Sequence, residues 1–168
     1  MRKAFTLIEL MISVMLLSIL MLFLYKSYAD LNRSNKQYSV ALDQLNKREL
    51  IKKTLYLDLL MASKKYVIIQ HTQREYDFIS FKTKHSLHRR IEPFVTYLVK
   101  DHFLYRLESL YQITSININS EITFDVEKLQ RVKKFKLFGT RDHKREFYLL
   151  HMKLKDNEDI LLKVKVLN

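Results

Sequence analysis

One stretch constrains this chain more than any other. From Phe5 to Tyr25 there are 21 residues that carry a single charge, Glu9. At about 1.5 Å of rise per residue, a helix over this stretch spans roughly 31 Å, the thickness of one hydrocarbon core. No Gly or Pro interrupts it, and its other polar residues are Thr6, Ser13 and Ser18. A secretory signal peptide has a shorter apolar region with a small-residue cleavage site behind it. Here the chain runs on as Tyr25-Lys26-Ser27-Tyr28. A plain membrane anchor fits the length but leaves Glu9 unexplained. An ionised carboxylate near the membrane interior costs about 2.5 to 3.5 kcal/mol on insertion scales, so it normally has a partner. None is expected within this helix.

The residues around that acid are informative. Lys3-Ala4-Phe5-Thr6-Leu7-Ile8-Glu9-Leu10 resembles the precursor motif of type IV pilins and type II secretion pseudopilins. The resemblance implies a cut between Ala4 and Phe5 by a prepilin peptidase, followed by N-methylation of the new Phe5 amine. It also implies that Glu9 pairs with the N-terminal amine of a neighbouring subunit during assembly. Cleavage would set a cation beside an apolar helix, where it and Glu9 can neutralise each other. A buried pair of that kind serves register more than stability. The chain departs from the family in two places. Ala4 stands where Gly is usual before the cut, and the Pro usual near the outer end of the membrane helix is missing. The second departure points away from a major filament subunit.

Arg2 and Lys3 precede the apolar stretch and should stay cytoplasmic. The remainder then lies outside the inner membrane, the expected location being a single-pass protein with a periplasmic domain. From Lys26 onward there are 28 Lys and Arg against 17 Asp and Glu, within a chain of net charge +12. Such an excess suits an anionic partner, nucleic acid or lipid headgroups. Lysines outnumber arginines 20 to 10, and this bias also fits mere genome composition. The absence of cysteine excludes a disulfide framework and cysteine-ligated zinc. A single Gly in the whole chain excludes glycine-rich phosphate loops.

Beyond Lys26 apolar residues recur near every third, fourth or seventh position, among them Tyr28, Leu31, Tyr38, Leu42, Leu45, Ile51, Leu55, Leu59 and Ala62. The spacing predicts that the membrane helix continues to about Ser63. The pattern then turns to strands: Tyr66–Ile69, Tyr76–Phe81, Phe94–Val99, Phe103–Leu107, Ile113–Ile118, Ile122–Val126, Val132–Phe138, Glu146–Lys155 and Ile160–Leu167. The expected fold is α+β, one long N-terminal helix on an antiparallel sheet. Its divisions are residues 1–4 as a cleaved leader, 5–25 as the membrane helix, 26–63 as its amphipathic continuation and 64–168 as the β-rich domain. The passage from Phe94 to Arg106 is also similar to the hairpin of J-type minor pseudopilins.

Little else carries chemistry. His85 and His88 form an H-x-x-H pair beside Arg89 and Arg90, which would repel a metal, so both are expected as exposed loop residues. No cofactor, metal or catalytic residue is expected, nor an enzyme. Arg131, Lys133, Lys134, Lys136, Arg141, Lys144 and Arg145 make a basic run interleaved with Phe135 and Phe138. It suits a phosphate backbone with stacked bases. It also suits the outer face of a strand, with both phenylalanines in the core. The expected function is a minor pseudopilin that helps assemble a periplasmic filament. Its partners would be the prepilin peptidase, other pilins and an inner-membrane assembly platform. The alternative is a competence pseudopilin whose basic domain contacts DNA during uptake.

Overall fold

The structure, a computed structural model, describes residues 6–72, 74–115, 123–139, 147–156 and 158–167. The chain divides into two compact units, Met1–Arg48 and Glu49–Asn168. A 54-residue helix, α1 (Leu7–Leu60), supplies the first unit and enters the second with its last turns. It holds no Gly or Pro, so nothing breaks the ladder of backbone hydrogen bonds.

In the second unit, seven strands follow: β1 (Ile68–Gln70), β2 (Phe78–Lys82), β3 (Phe94–Lys100), β4 (Phe103–Ser109), β5 (Phe124–Gly139), β6 (Phe147–Leu154) and β7 (Asp159–Lys165). They lie in chain order, each antiparallel to the next. The expected α+β arrangement is the observed one. The chain turns from β3 into β4 at Asp101 and His102, both at positive φ (52° and 62°). This is the twist a two-residue hairpin needs, taken here without glycine.

The sequence pattern misplaces some elements. Tyr66 ends a 3₁₀ turn (Lys64–Tyr66), and the first strand begins at Ile68. Residues 113–115 are not strand, and 116–118 lie outside the described residues. From Phe124 on, the two strands expected at Ile122–Val126 and Val132–Phe138 are parts of one 16-residue strand, β5, and Ile122 lies outside the described residues. Its first half pairs with β4 and its second half with β6. Polar residues between the two apolar runs suggested a break, yet they remain in the ladder. A register shift between Val132 and Lys134 marks a bulge that bends the strand.

The bend lets the sheet curl. Tyr76, just before β2, forms a parallel bridge with Phe135. Asp77 sits beside it at 1% exposure and accepts from the Leu137 N–H (3.0 Å) and Lys136 Nζ (2.9 Å). The inner face of the sheet packs on the last turns of α1. Ile51, Leu55 and Leu59 share one core with Phe81, Tyr97, Phe135, Met152 and Val164. Each fully buried side chain of this size contributes about 1.5 to 3 kcal/mol. The orphan carbonyl of Leu60 at the helix end accepts from the Leu167 N–H (3.1 Å), so the segment after β7 does what a C-terminal glycine cap usually does.

Candidate functional site

In the first unit, every described residue from Leu7 to Tyr25 is exposed. By length and composition α1 can cross a membrane near its N-terminus. The polar groups in this stretch are largely satisfied along the helix. Ser13 Oγ donates to the Glu9 carbonyl and Ser18 Oγ to that of Val14, each at 2.8 Å, as hydroxyls do in apolar helices.

Glu9 differs from the expectation. Thr6 stands at the start of α1, and its N–H and its Oγ1 both donate to Glu9 Oε2 at 2.9 Å. The acid therefore has a partner within its own segment. Thr6-x-x-Glu9 is the spacing of a capping box, in which a residue of the first turn reaches back to the cap and satisfies an orphan donor. Both bonds fall on one carboxylate oxygen. Among the described residues, Oε1 accepts none. Ala4 and Phe5 lie outside the described residues.

An apolar helix long enough to cross a membrane thus carries a carboxylate in its first turn, capped by Thr6. Residues 1–25 match the family model of the prokaryotic N-terminal methylation motif. The methylation motif agrees with the resemblance to type IV pilin-like proteins and pseudopilins. It implies processing by a prepilin peptidase and interaction with other pilins in general. No curated protein matches the chain, and no solved structure does.

The basic run beyond the motif is not a uniform strip of cations. Arg131 and Lys133 are exposed, while Lys134 and Lys136 are half-buried. Lys136 is spent on the buried Asp77. Arg131 and Lys128 lie over the Phe103 ring, 4.7 and 3.7 Å from its centroid. Of the two phenylalanines expected in the core, Phe135 is there at 0% exposure, but Phe138 is 49% exposed. The bulge sets the phase: Phe135 and Leu137 point inward, and Phe138 falls on the opposite face. Arg141, Lys144 and Arg145 lie outside the described residues.

A constellation the sequence reading missed sits between α1 and the sheet. Asp58, on the buried stripe of α1, has 0% exposure. Its Oδ2 accepts from Tyr97 OH (2.5 Å) and Arg106 Nε (2.8 Å). Its Oδ1 faces His85 Nδ1 (2.5 Å) and accepts more weakly from Arg106 Nη2 (3.3 Å). Arg106, also fully buried, gives Nη1 to Glu108 Oε2 at 2.7 Å. Glu108 in turn accepts from the Ser86 hydroxyl and the Leu87 N–H. One helix, two strands and the 83–93 loop are thus joined through three buried charges.

Burial opposes the charge on Arg106, but the Asp58 carboxylate outweighs it and holds the guanidinium above its ordinary range. Burial, and after it Asp58, push the Tyr97 phenol well up. Burial alone would raise the Glu108 carboxyl. The bonds from Ser86, Arg106 and Leu87 outweigh it and hold the group below the usual carboxylate value. The two histidines of the H-x-x-H pair do not converge. His85 joins this network and is largely buried, contrary to the expected exposed loop residue, while His88 lies 3.5 Å from Glu127.

Proposed function

We propose that this chain is a minor pseudopilin-like assembly subunit, held by the first part of α1 in the inner membrane until it joins a filament with other pilin-like subunits. The observation that carries the reading is the methylation motif at residues 1–25 with Glu9 inside it. Removal of residues 1–4 would create a cationic amine at Phe5, one residue before the cap at Thr6. Among the described residues Thr6 engages Oε2 and none engages Oε1, and Oε1 would take the corresponding amine of a neighbour. Exchange of that contact between molecules would fix the axial stagger of packed helices, a register role suited to a charge in apolar surroundings. The β-rich unit would lie in the periplasm and contact other subunits, and the protein would catalyse nothing.

Glu9→Val tests this reading in the native host. Membrane insertion should be unchanged, since an apolar residue only eases it. Recovery of the chain in complexes with other pilin-like subunits should be lost. Normal recovery of the variant in those complexes would remove the register role.

The net charge of +12 supports a second reading, in which the basic unit also meets DNA during uptake. Retention of DNA by the full chain in detergent should then weaken steeply as salt rises. Absence of retention at low salt would remove it.

A further inference from the structure

The curled sheet has two outer faces, and the chain treats them differently. Over β2, β3 and β4, Phe78, Leu98 and Leu107 point away from α1. Ile113 from the following segment packs onto them at 2% exposure, closing a second small core. Over β5, β6 and β7 the outer face leaves large apolar side chains exposed among the described residues. Phe138 stands opposite Leu149, with Leu161 diagonal to it on β7. These three are 49%, 41% and 63% exposed. Their inward neighbours Leu137, Leu150 and Ile160 are all buried.

Charge identifies what fits this surface. Lys163 pairs across from Leu149, Lys165 follows on the same face, and Lys134 stands opposite Lys153 one row beyond. The one acid among the described residues of this face, Asp159, is engaged by His151 (3.2 Å) and Lys153 (3.9 Å). An apolar centre within a cationic rim is complementary to an apolar surface rimmed by carboxylates. A second copy would bring the same lysines against these, in a chain already at +12. Nucleic acid could stack on Phe138 alone; Leu149 and Leu161, the other two central residues, have no aromatic face for a base.

We infer that the outer face of β5–β7, centred on Phe138, Leu149 and Leu161, docks a different pilin-like subunit through a surface that is apolar at its centre and acidic at its rim. The inference rests on the assembly reading above and adds to it the face used and the character of the partner. Aliphatic contact supplies the attraction, and the lysines select an acidic neighbour over a second copy of this chain.

The test uses the full chain in its native host, with the photo-crosslinker p-benzoylphenylalanine replacing Phe138, Leu149 or Leu161 in turn. The expected product is an adduct with another subunit bearing a processed methylation motif, joined through a segment rich in Asp and Glu. Reversing the rim with Lys163→Glu and Lys165→Glu should lower the adduct yield at least about fivefold while leaving the thermal midpoint of the chain unchanged. An adduct with a second copy, with DNA or with an unrelated protein overturns the inference. So does no adduct from any of the three positions, or a yield indifferent to the charge reversal. The mass of the same sample separates the two levels. A chain that retains residues 1–4 overturns the assembly reading and this inference with it. A processed chain without the expected adduct overturns this inference alone.

Discussion

The first turn and the last turns of α1 each hold a carboxylate among apolar residues, and they hold it in opposite ways. Among the described residues Glu9 is served by Thr6 alone, three positions before it, through one oxygen. Asp58 is served through both oxygens by Tyr97, Arg106 and His85, which come from β3, β4 and the loop between β2 and β3. A locally capped acid in an exposed apolar helix remains open to another molecule. An acid saturated by distant parts of its own unit is closed to one and ties those parts together. The contrast sets Asp58, which ties its own unit together, against Glu9, to which the proposed assembly contact falls.

The most damaging way to break the contrast is at Arg106. Arg106→Leu leaves Asp58 and Glu108 buried without their shared cation, and truncating one side of such a network costs about 3 to 5 kcal/mol. Chemical denaturation of the detergent-solubilised chain should register a loss of that size in the Glu49–Asn168 unit. Nearly as large is Leu55→Ala. Leu55 is 1% exposed against the sheet, and a cavity there costs about 2 to 5 kcal/mol. Leu20→Ala, on the same helix at 54% exposure, should leave the unfolding of that unit unmoved. Equal effects of the two leucine variants would erase the distinction between the two parts of α1.

Acid sharpens the comparison further. The Glu108 carboxyl is held below its ordinary value in the folded chain. Its contribution is therefore present above the unfolded value near 4.5 and is lost as pH falls through the depressed folded one. Stability of the second unit should decline below about pH 4.5. Glu108→Gln, less stable at neutral pH, should show a flatter acid limb. A variant with the unaltered acid slope would mean that Glu108 is not a contributor. The smallest effect is expected at Thr6→Val. This removes one of two donors to Glu9 and costs about 0.5 to 2 kcal/mol locally. It should appear as faster amide exchange over residues 7–10 in micelles, with no change in the second unit.

The helix, the antiparallel sheet and the hairpin at Asp101-His102 were legible because periodicity and turn position are local properties. Alternation in β6 and β7 likewise told inner from outer face, with Leu150 and Met152 buried and Lys163 and Lys165 exposed. What stayed hidden depended on distant partners. Asp58 lies three residues after Leu55 and four before Ala62, so helical spacing puts it on the buried stripe. Arg106 lies two positions after the inward Leu104, so strand alternation puts it on the same face. Each position signals a buried charge, but only the fold brings the two together. The bulge near Lys134 was invisible for the same reason, and with it the outward turn of Phe138. Thr6, by contrast, could have been read directly, since Thr-x-x-Glu before an apolar run is a capping signature.

The central claim concerns the N-terminus, and one measurement addresses it directly: the intact mass of the chain purified from membranes of its native host. The account predicts loss of Met1 to Ala4, with one methyl group on the amine of Phe5. A chain that keeps those four residues would never present the cation proposed to meet Glu9, and would contradict it.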